Sequence, residues 1–369
     1  MLAKPPAELH DIFRQFTVQG DLIEAAPYGS GYINDTYLGR YRTPGGEARY
    51  IHQRINHHVF RQPEKLMENL ERVTRYAREQ ISAAGGDPLR ETLNLIPTRS
   101  GESYIHTAQG EYWRTFLFIP GVTTYDVCAT PPMAYSPARA FGSFQKLLAN
   151  LPGDRLHETI PEFHHTRKRF NAFVEAVQAD SAGRCAECQP EIDFILQREA
   201  DAGLVVDLLA TGQIPERVTH NDTKLNNVLI DEQTGQGICV IDLDTVMPGS
   251  LLYDFGDLIR MGTATAAEDE TDLARVNLDL ELFSWLTRGY LDAVHDILTP
   301  LEWDLLAFGG RLITYEQAVR FLGDHLRGDS YYKIRYPRHN LDRARNQIKM
   351  LMEMESKRSE MESIIHSLR

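Results

Sequence analysis

Residues 220–227 of the chain read HNDTKLNN; an apolar run, VLID, follows at 228–231, and a second run, ICVID, occupies 238–242. A His-x-Asp pair followed five residues later by Asn, with another Asp closing an apolar run, is typical of kinases, which use it to orient a hydroxyl group and hold magnesium. Asp222 is then predicted to accept or orient the proton of the attacking hydroxyl. The motif alone is weak, because a polar loop ahead of an ordinary hairpin would also fit it.

The spacing of the two apolar runs strengthens this interpretation. They flank a polar segment with one glycine, EQTGQ at 232–236, which is typical of an antiparallel hairpin with a longer loop. If Glu232 pairs with Gly237, Asn227 falls opposite Asp242, and such neighbours have Cβ atoms about 5 Å apart. Amide and carboxylate oxygens are ligands that Mg²⁺ takes. We therefore predict that Asn227 and Asp242 bind Mg²⁺.

Composition limits the class of protein. The 369 residues are 42% apolar and 25% charged, as in soluble globular proteins. The formal net charge of −13 argues against a nucleic-acid partner, and ATP would need magnesium and a local cationic site. No apolar run has the length of a membrane span and no signal-peptide core is present, so we expect a cytoplasmic protein without a membrane partner. The oligomeric state is left open, and a monomer is plausible.

The order of predicted elements indicates two lobes. Residues 21–118 are rich in strand patterns and contain one amphipathic helix at 63–79. After a hinge at about 119–124, helical patterns dominate, at 137–150, 161–179, 188–210, 272–295, 301–327 and 338–367. We predict an α+β, bilobal protein-kinase-like fold. Its N-lobe (1–118) holds a small antiparallel sheet, and its C-lobe (119–369) is mainly helical and carries the catalytic hairpin.

The first hairpin of the N-lobe contains a glycine loop, Gly29-Ser30-Gly31. Glycines at this spacing often form plain turns, but a loop ahead of a catalytic hairpin can hold phosphates with its backbone N–H groups. Phe118 and Ile119, where the N-lobe meets the hinge, complete the predicted nucleotide site.

The third strand lacks the lysine that binds ATP phosphates in protein kinases. It reads YIHQ at 50–53, with Arg54 next. Either Gln53 or Arg54 substitutes for the lysine, with Glu68 or Glu71 on the following helix as a possible partner. Alternatively, the phosphates depend more on magnesium and the glycine loop.

Three stretches of the chain resemble the N-acetylhexosamine 1-kinases of the aminoglycoside phosphotransferase family. They are YGSGYINDTY at 28–37, HNDTKLNN at 220–227 and IDLDTVMPGS at 241–250. The resemblance continues through residues 253–257, 328–332 and 336–341, so that it covers nearly the whole chain.

The resemblance implies transfer of the ATP γ-phosphoryl group to the anomeric hydroxyl of N-acetylglucosamine or N-acetylgalactosamine. Its expected small-molecule partners are the sugar and ATP, with Mg²⁺ as cofactor. The implied roles are Asp222 as base, Asn227 and Asp242 as magnesium ligands, and Asp244, Arg320 and Tyr331 as neighbours of the sugar.

Two points stay open at this stage. Tyr32 stands where the similar proteins usually have His, so it either faces the sugar and alters the preferred hexosamine or packs beneath the loop. Asp254 and Asp257 are either sugar ligands or N-caps of a helix near Ile259, and capping is favoured for at least one of them.

Two other functions compete with this hypothesis. A related small-molecule kinase acting on another sugar, an amino alcohol or an aminoglycoside would share the same hairpin. A nucleotide-binding module without activity is disfavoured because Asp222, Asn227 and Asp242 are all present, although the missing strand lysine would suit it.

Overall fold

The computed structural model describes residues 7–29 and 33–369 and has an α+β, protein-kinase-like architecture, as predicted. Its N-lobe is an antiparallel five-stranded sheet in the order β1-β2-β3-β5-β4, with two helices. The elements are α1 (Ala7–Phe13), β1 (Asp21–Pro27), β2 (Asp35–Thr43), β3 (Gly46–Ile55), α2 (Pro63–Ala83), β4 (Ile105–His106) and β5 (Tyr112–Leu117).

The C-lobe surrounds two small sheets with helices. A short strand after the hinge joins the predicted hairpin in the order β6-β8-β9, and β10 pairs with β7. The strands are β6 (Val122–Thr123), β7 (Arg217–Thr219), β8 (Val228–Asp231), β9 (Gly237–Val240) and β10 (Met247–Gly249). The helices are α3 (Tyr135–Leu148), α4 (Thr166–Ala179), α5 (Gln189–Leu196), α6 (Glu199–Ala210), α7 (Leu251–Gly262), α8 (Leu280–Val294), α9 (Pro300–Leu326), α10 (His339–Ser356) and α11 (Arg358–His366).

Close packing of α7 against α9 forms the centre of the C-lobe. A Cβ atom on Gly256 would lie 2.4 Å from the carbonyl oxygen of Gly309, and one on Gly309 would lie 2.7 Å from that of Leu252. Only glycine allows the two backbones to approach so closely. This contact holds α7 in place beneath the hairpin.

Several predicted helix bounds are wrong. The helices expected at 188–210 and 338–367 are each divided in two, at residues 197–198 and at Lys357. Apolar spacing continues across such short breaks, so the pattern does not reveal them. The helix expected at 272–295 begins only at Leu280, and α7, expected only as a helix near Ile259 without bounds, spans Leu251–Gly262.

The register of the catalytic hairpin differs from the prediction by one residue. Val228 pairs with Val240, and the backbone N–H of Ile241 donates to the carbonyl of Asn227 over 2.9 Å, so that Ile241 lies opposite Asn227 in place of Asp242. The cause is a bulge at Ile238 together with a tighter loop, which the Asp231 carboxylate closes by accepting backbone N–H groups.

No helix within residues 7–29 and 33–369 is both long and apolar enough to cross a membrane. The predicted boundary between residues 118 and 119 stays a prediction.

A buried histidine lies between the N-lobe sheet and α1. The His52 ring stacks on Phe13 with 3.7 Å between centroids, and its nitrogens contact the Tyr41 hydroxyl at 2.9 Å and the Thr115 hydroxyl at 2.8 Å. Burial lowers the pKa of His52 to about 3. The folded protein therefore keeps this ring neutral at pH values where the unfolded chain binds a proton.

We predict that His52 makes the fold acid-sensitive. With an unfolded pKa near 6.5, the free energy of unfolding falls as the pH drops, by about 2 kcal/mol between pH 7.5 and 5. Urea unfolding at both pH values measures this loss, which His52→Gln should remove and the exposed control His58→Gln should retain. An equal pH dependence in all three proteins would contradict the prediction.

Candidate active site

Helix α7 positions the 220–227 loop through one buried carboxylate. Asp254 is 1% exposed, and its two oxygens accept the backbone N–H groups of His220 at 2.9 Å and Asn221 at 2.7 Å. Burial raises the pKa of the Asp254 carboxyl, against the opposing effect of these donors. The expected capping role is wrong for Asp254, because Ser250 caps the start of α7 by accepting the N–H of Leu252.

Asp257 does not cap α7 either. Its carboxylate accepts two hydrogen bonds from the buried guanidinium of Arg260, at 2.9 and 3.1 Å. Arg260 also forms an ion pair with Glu268 at 2.7 Å. This pair is close enough to the loop for the positive charge of Arg260 to stabilise the ionised form of Asp222.

The His220 ring connects the loop to the end of β9. Its Nε2 donates to the carbonyl of Ile241 at 2.9 Å, and its Nδ1 accepts the backbone N–H of Asp222 at 3.3 Å. One acceptor and one donor as neighbours require the neutral Nε2–H tautomer. Phe141 and Phe144 contact the ring edge-to-face. His220 therefore holds two backbone segments in place and is not a proton donor or acceptor for a substrate.

Asp222 presents an ionised carboxylate that remains partly accessible. Its side chain is 27% exposed and lies 2.9 Å from the Lys224 ammonium. The Asn227 amide nitrogen lies 3.3 Å from the same carboxylate and donates to the Asp222 carbonyl at 2.8 Å. Burial alone would raise the pKa of the Asp222 carboxyl, but the positive charge and hydrogen bond of Lys224 outweigh it and hold that pKa below its ordinary value.

The predicted metal ligands lie at the open end of the hairpin. Because the Asn227 amide nitrogen is used by Asp222, the amide oxygen is the atom left for a cation. Asp242 follows the last paired residues in a left-handed conformation, φ 60°, and its side chain is open to solvent. Surrounding protein and the carboxylates of Asp244 and Asp222 nevertheless raise the pKa of Asp242 to about 6. A bound cation would relieve this excess of negative charge.

These donors fit magnesium better than a fully protein-bound metal. The part of the chain that the structure describes holds no group of three or more His, Cys, Asp or Glu side chains arranged to bind a metal ion. Mg²⁺ commonly takes one or two protein oxygens and completes its shell with water and phosphate oxygens. Asn227 and Asp242 would be those protein ligands.

The nucleotide side is only partly described. Gly29 has φ +79°, which suits a glycine turn, whereas Ser30, Gly31 and Tyr32 lie outside the described residues. Tyr28, at the start of this loop, meets Phe118 edge-to-face with 6.0 Å between ring centroids. The residue that precedes Gly29 therefore contacts the end of the N-lobe next to the hinge.

Ile119, the second predicted hinge residue, is buried. Its side chain therefore supports the hinge from inside the protein. The Arg49 guanidinium lies 4.3 Å from the centre of the neighbouring Phe118 ring and covers one of its faces.

Of the two candidates for replacing the strand lysine, only Gln53 faces the C-lobe. Arg54 lies on the opposite face of β3, where it pairs with Asp35 and Glu111. Gln53 accepts two hydrogen bonds from Arg114 on β5, at 2.9 and 3.0 Å. Arg114 was not among the predicted site residues, although an arginine inside the apolar strand YWRTFL is an available signal.

The expected partners on α2 make other contacts. Glu68 accepts a hydrogen bond from His157 at 2.8 Å, and Glu71 is exposed. Asn69, one residue beyond Glu68, is buried and donates to the carbonyls of His157 and Val246. Helix α2 therefore contacts the C-lobe through an amide and not through an ion pair with β3.

Asp244 lies at the junction of the lobes and not on an open sugar-binding surface. It is 2% exposed; one oxygen is 2.6 Å from the Arg114 guanidinium, and the other accepts a 2.7 Å hydrogen bond from Asn34. Both of its oxygens are thus used by N-lobe residues. The implied position beside the sugar stays a prediction for this residue.

Arg320 lies in an aromatic cluster on the C-lobe side. Its guanidinium is 5.2 Å from the ring centre of Phe163 and 5.7 Å from that of Tyr332, with a single 3.4 Å hydrogen bond to Gln317. Tyr331 is 61% exposed and contacts Tyr332 edge-to-face. The structure thus brings together Arg320 and Tyr331, two of the predicted sugar neighbours.

The buried carboxylate of Asp324 holds the loop that carries these tyrosines. It accepts the backbone N–H groups of Ser330, Tyr331 and Tyr332 at 2.9–3.1 Å. The sequence analysis assigned no role to this carboxylate.

A histidine connects the aromatic cluster to the 220–227 loop. His164 contacts the Glu316 carboxylate through Nδ1 at 2.8 Å and the carbonyl of Asn221 through Nε2 at 3.1 Å. Both partner atoms are oxygens that accept hydrogen bonds. Burial alone would raise the pKa of Glu316, but His164 outweighs it and lowers that pKa. Sequence spacing gave no sign of this contact between residues 57 positions apart.

An Asp, Asn and Asp set at a hairpin between an antiparallel sheet and a helical lobe defines a phosphotransferase of the protein-kinase-like class. Residues 24–288 match the model of the phosphotransferase enzyme family known as APH. The chain belongs to this family.

Solved structures with similar folds share little sequence with this chain. An aminoglycoside phosphotransferase from Alicyclobacillus acidocaldarius has 14% identity and a TM-score of 0.61, covering 98% of both chains. A spectinomycin phosphotransferase in complex with ADP and spectinomycin has 12% identity and a TM-score of 0.53, covering 91% of this chain and 93% of its own. A choline kinase from Cryptosporidium parvum has 15% identity and a TM-score of 0.52, covering 93% and 92%. At these identities the likeness establishes the fold alone.

We predict that Asp254→Asn destabilises the protein and slows turnover. The amide places an N–H donor against one of the two backbone N–H groups, and a buried donor without a partner costs about 1–3 kcal/mol. Urea unfolding and ATP turnover measure both effects. Asp292→Asn is the control, since Asp292 is an exposed carboxylate that accepts one hydrogen bond from Tyr135. Wild-type stability in Asp254→Asn would refute the role assigned to this carboxylate.

Proposed function

We propose that this protein is an ATP-dependent kinase that phosphorylates the anomeric hydroxyl of N-acetylhexosamines. The observation that carries the proposal is the ionised Asp222 carboxylate, held by Lys224 and Asn227 beside Asp242. Family membership supports phosphoryl transfer, and the resemblance of residues 28–37, 220–227 and 241–250 supports the amino-sugar acceptor.

In this mechanism Asp222 orients the attacking hydroxyl and takes its proton. A carboxylate with a low pKa is a weak base, which suits an anomeric hydroxyl because it is more acidic than the other ring hydroxyls. Lys224, 2.9 Å from Asp222, would neutralise charge on the transferred phosphoryl oxygens. Mg²⁺, held by Asn227 and Asp242, would supply further neutralisation of the nucleotide phosphates. Alignment and charge neutralisation then provide most of the catalysis.

The charges around the Arg320 cluster favour a neutral acceptor over a cationic one. Burial, and after it the positive charge of Arg320, lower the pKa of the nearby Arg169. The Arg320 guanidinium already occupies the faces of Phe163 and Tyr332, which a quaternary ammonium group would otherwise use. A hydroxyl-rich sugar accepts hydrogen bonds from guanidinium groups, whereas an aminoglycoside or amino alcohol would bring a further positive charge close to Arg320 and Arg169.

An acceptor panel tests the proposal directly. The protein is incubated with Mg·ATP and N-acetylglucosamine, N-acetylgalactosamine, glucose, galactose, choline, ethanolamine or kanamycin, and phosphorus NMR identifies the phosphorylated position. We expect phosphate at C1 of the two N-acetylhexosamines and none on their 1-deoxy analogues, which serve as matched controls. Phosphate at C6, or turnover of only the amine-bearing acceptors, would overturn the proposal.

Substitutions of the two aspartates should separate chemistry from nucleotide binding. We predict that Asp222→Ala keeps Mg·ADP affinity within a few-fold of wild type but removes transfer, because only orientation of the hydroxyl is lost. Asp242→Ala should weaken Mg·ADP binding as well, by about tenfold or more. Titration calorimetry and single-turnover assays measure both properties. Near-normal turnover in Asp222→Ala would exclude it as the base.

A further inference from the structure

A row of polar side chains crosses the face of the N-lobe sheet that is turned toward the C-lobe. Thr36 on β2 pairs in register with Gln53 on β3, and Gln53 pairs with Arg114 on β5. Cross-strand partners point to the same face of a sheet. The position where a kinase lysine is expected is therefore occupied by neutral Gln53, and the positive charge lies one strand away.

Two nitrogens of the Arg114 guanidinium are held by hydrogen bonds, and the third lies in an ion-pair contact without hydrogen-bond geometry. Nε and Nη2 donate to the Gln53 side-chain oxygen, and Nη1 lies 2.6 Å from Asp244. Gln53 is fixed in turn by its 3.0 Å hydrogen bond to the Thr36 hydroxyl. At 2% exposure, Arg114 is among the largest fully buried side chains of the described chain.

A buried ion pair is weak evidence for stability alone. Desolvating two charges costs free energy that their attraction often does not recover, and an apolar pair of the same size is frequently as stable. The position of Asp244, however, suggests a role for the Arg114–Asp244 pair other than stability. Asp244 belongs to the single helical turn Leu243–Thr245, which begins directly after Asp242.

This turn is held from several directions at once. Arg114 and Asn34 bind the Asp244 carboxylate from the N-lobe, and the Thr159 hydroxyl donates to the Asp244 carbonyl at 2.7 Å. Asp242 has the left-handed φ of 60°, which a non-glycine residue adopts only when its surroundings impose it. The side chain and carbonyl of Asp244 are therefore held only two residues from the left-handed backbone conformation of Asp242.

We infer that Arg114 is a positioning residue that ties the N-lobe sheet to the turn presenting Asp242. It replaces, from β5, the missing lysine of β3, but it acts through Asp244 and not on the nucleotide itself. The inference rests on the proposed function in so far as Asp242 is a metal ligand. The mechanical part, that Arg114 orders residues 241–247, does not depend on that function.

Three variants and one control test the inference. Arg114→Gln removes the charge, Arg114→Lys keeps the charge without the fork that reaches both Gln53 and Asp244, and Asp244→Asn removes the partner charge. The control is Arg54→Gln, one residue from Gln53 but on the opposite face of the sheet and 43% exposed. Hydrogen exchange of residues 241–247 is measured in the protein without ligands, and affinities for Mg·ADP and metal-free ADP are measured by calorimetry.

We expect faster exchange at 241–247 and at least tenfold weaker Mg·ADP binding in Arg114→Gln, with metal-free ADP affinity changed less than threefold. Arg114→Lys should fall between wild type and Arg114→Gln, and Arg54→Gln should match wild type. The double variant Arg114→Gln/Asp244→Asn should bind Mg·ADP no more weakly than Arg114→Gln alone, because both changes break one contact.

Two results would overturn the inference. The first is wild-type exchange at 241–247 with wild-type Mg·ADP affinity in Arg114→Gln, even if its melting temperature falls. The second is an equal loss of affinity for Mg·ADP and metal-free ADP, which would mean direct phosphate binding. If Arg114→Gln does not fold, Arg114→Lys and Asp244→Asn decide by the same measurements. Failure of the wild-type protein to bind Mg·ADP would refute the proposed function, and the exchange data would still test the positioning role.

Discussion

The site depends on one contact, in which the buried Asp254 carboxylate accepts hydrogen bonds from the backbone N–H groups of His220 and Asn221. It places the 220–227 loop relative to α7, and α7 is placed by its glycine contact with α9. Asp254 is buried, so water cannot take the place of these donors. Displacing the loop would leave the Asp254 carboxylate and the two backbone N–H groups without hydrogen-bond partners. The geometry around Asp222 therefore follows from the packing of α7 against α9.

The pKa values of two neighbouring carboxylates in the candidate site, Asp222 and Asp242, are shifted in opposite directions. Lys224 lowers the pKa of Asp222 against the effect of burial, whereas burial, and after it the carboxylates of Asp244 and Asp222, raise the pKa of Asp242. Environments that push pKa values apart in this way separate roles within a site. The negative charge of Asp222 is already balanced by Lys224, and this carboxylate can bind a hydroxyl group. Asp242 lies in an excess of negative charge, which a bound cation would balance.

Local spacing predicted the elements of the fold and the hairpin, because motif, loop and apolar runs are close in sequence. The register was off by one residue because the loop is tighter than expected, and the bulge at Ile238 recovers only part of that shift. Arg114 and Asp244 are far apart in the chain, and nothing in the periodicity of either segment indicates their contact. The sequence therefore predicted which residues carry charge at the hairpin, but not which distant side chains orient them.

The peptide units around Asn221 connect the Arg320 cluster, the proposed acceptor site, to Asp222, the proposed base. Asp254 holds the Asn221 N–H from one side, and His164 donates to its carbonyl from the other. Asn221 itself has φ 64°, and its side-chain hydrogen bonds to Thr219 and Thr245 stabilise that strained conformation. His164 is also bound to Glu316, one helical turn from Arg320. A change in the Arg320 cluster would therefore reach Asp222 through Glu316, His164 and one peptide unit. In the proposed function, the choice of acceptor and the orientation of the base would then not be independent.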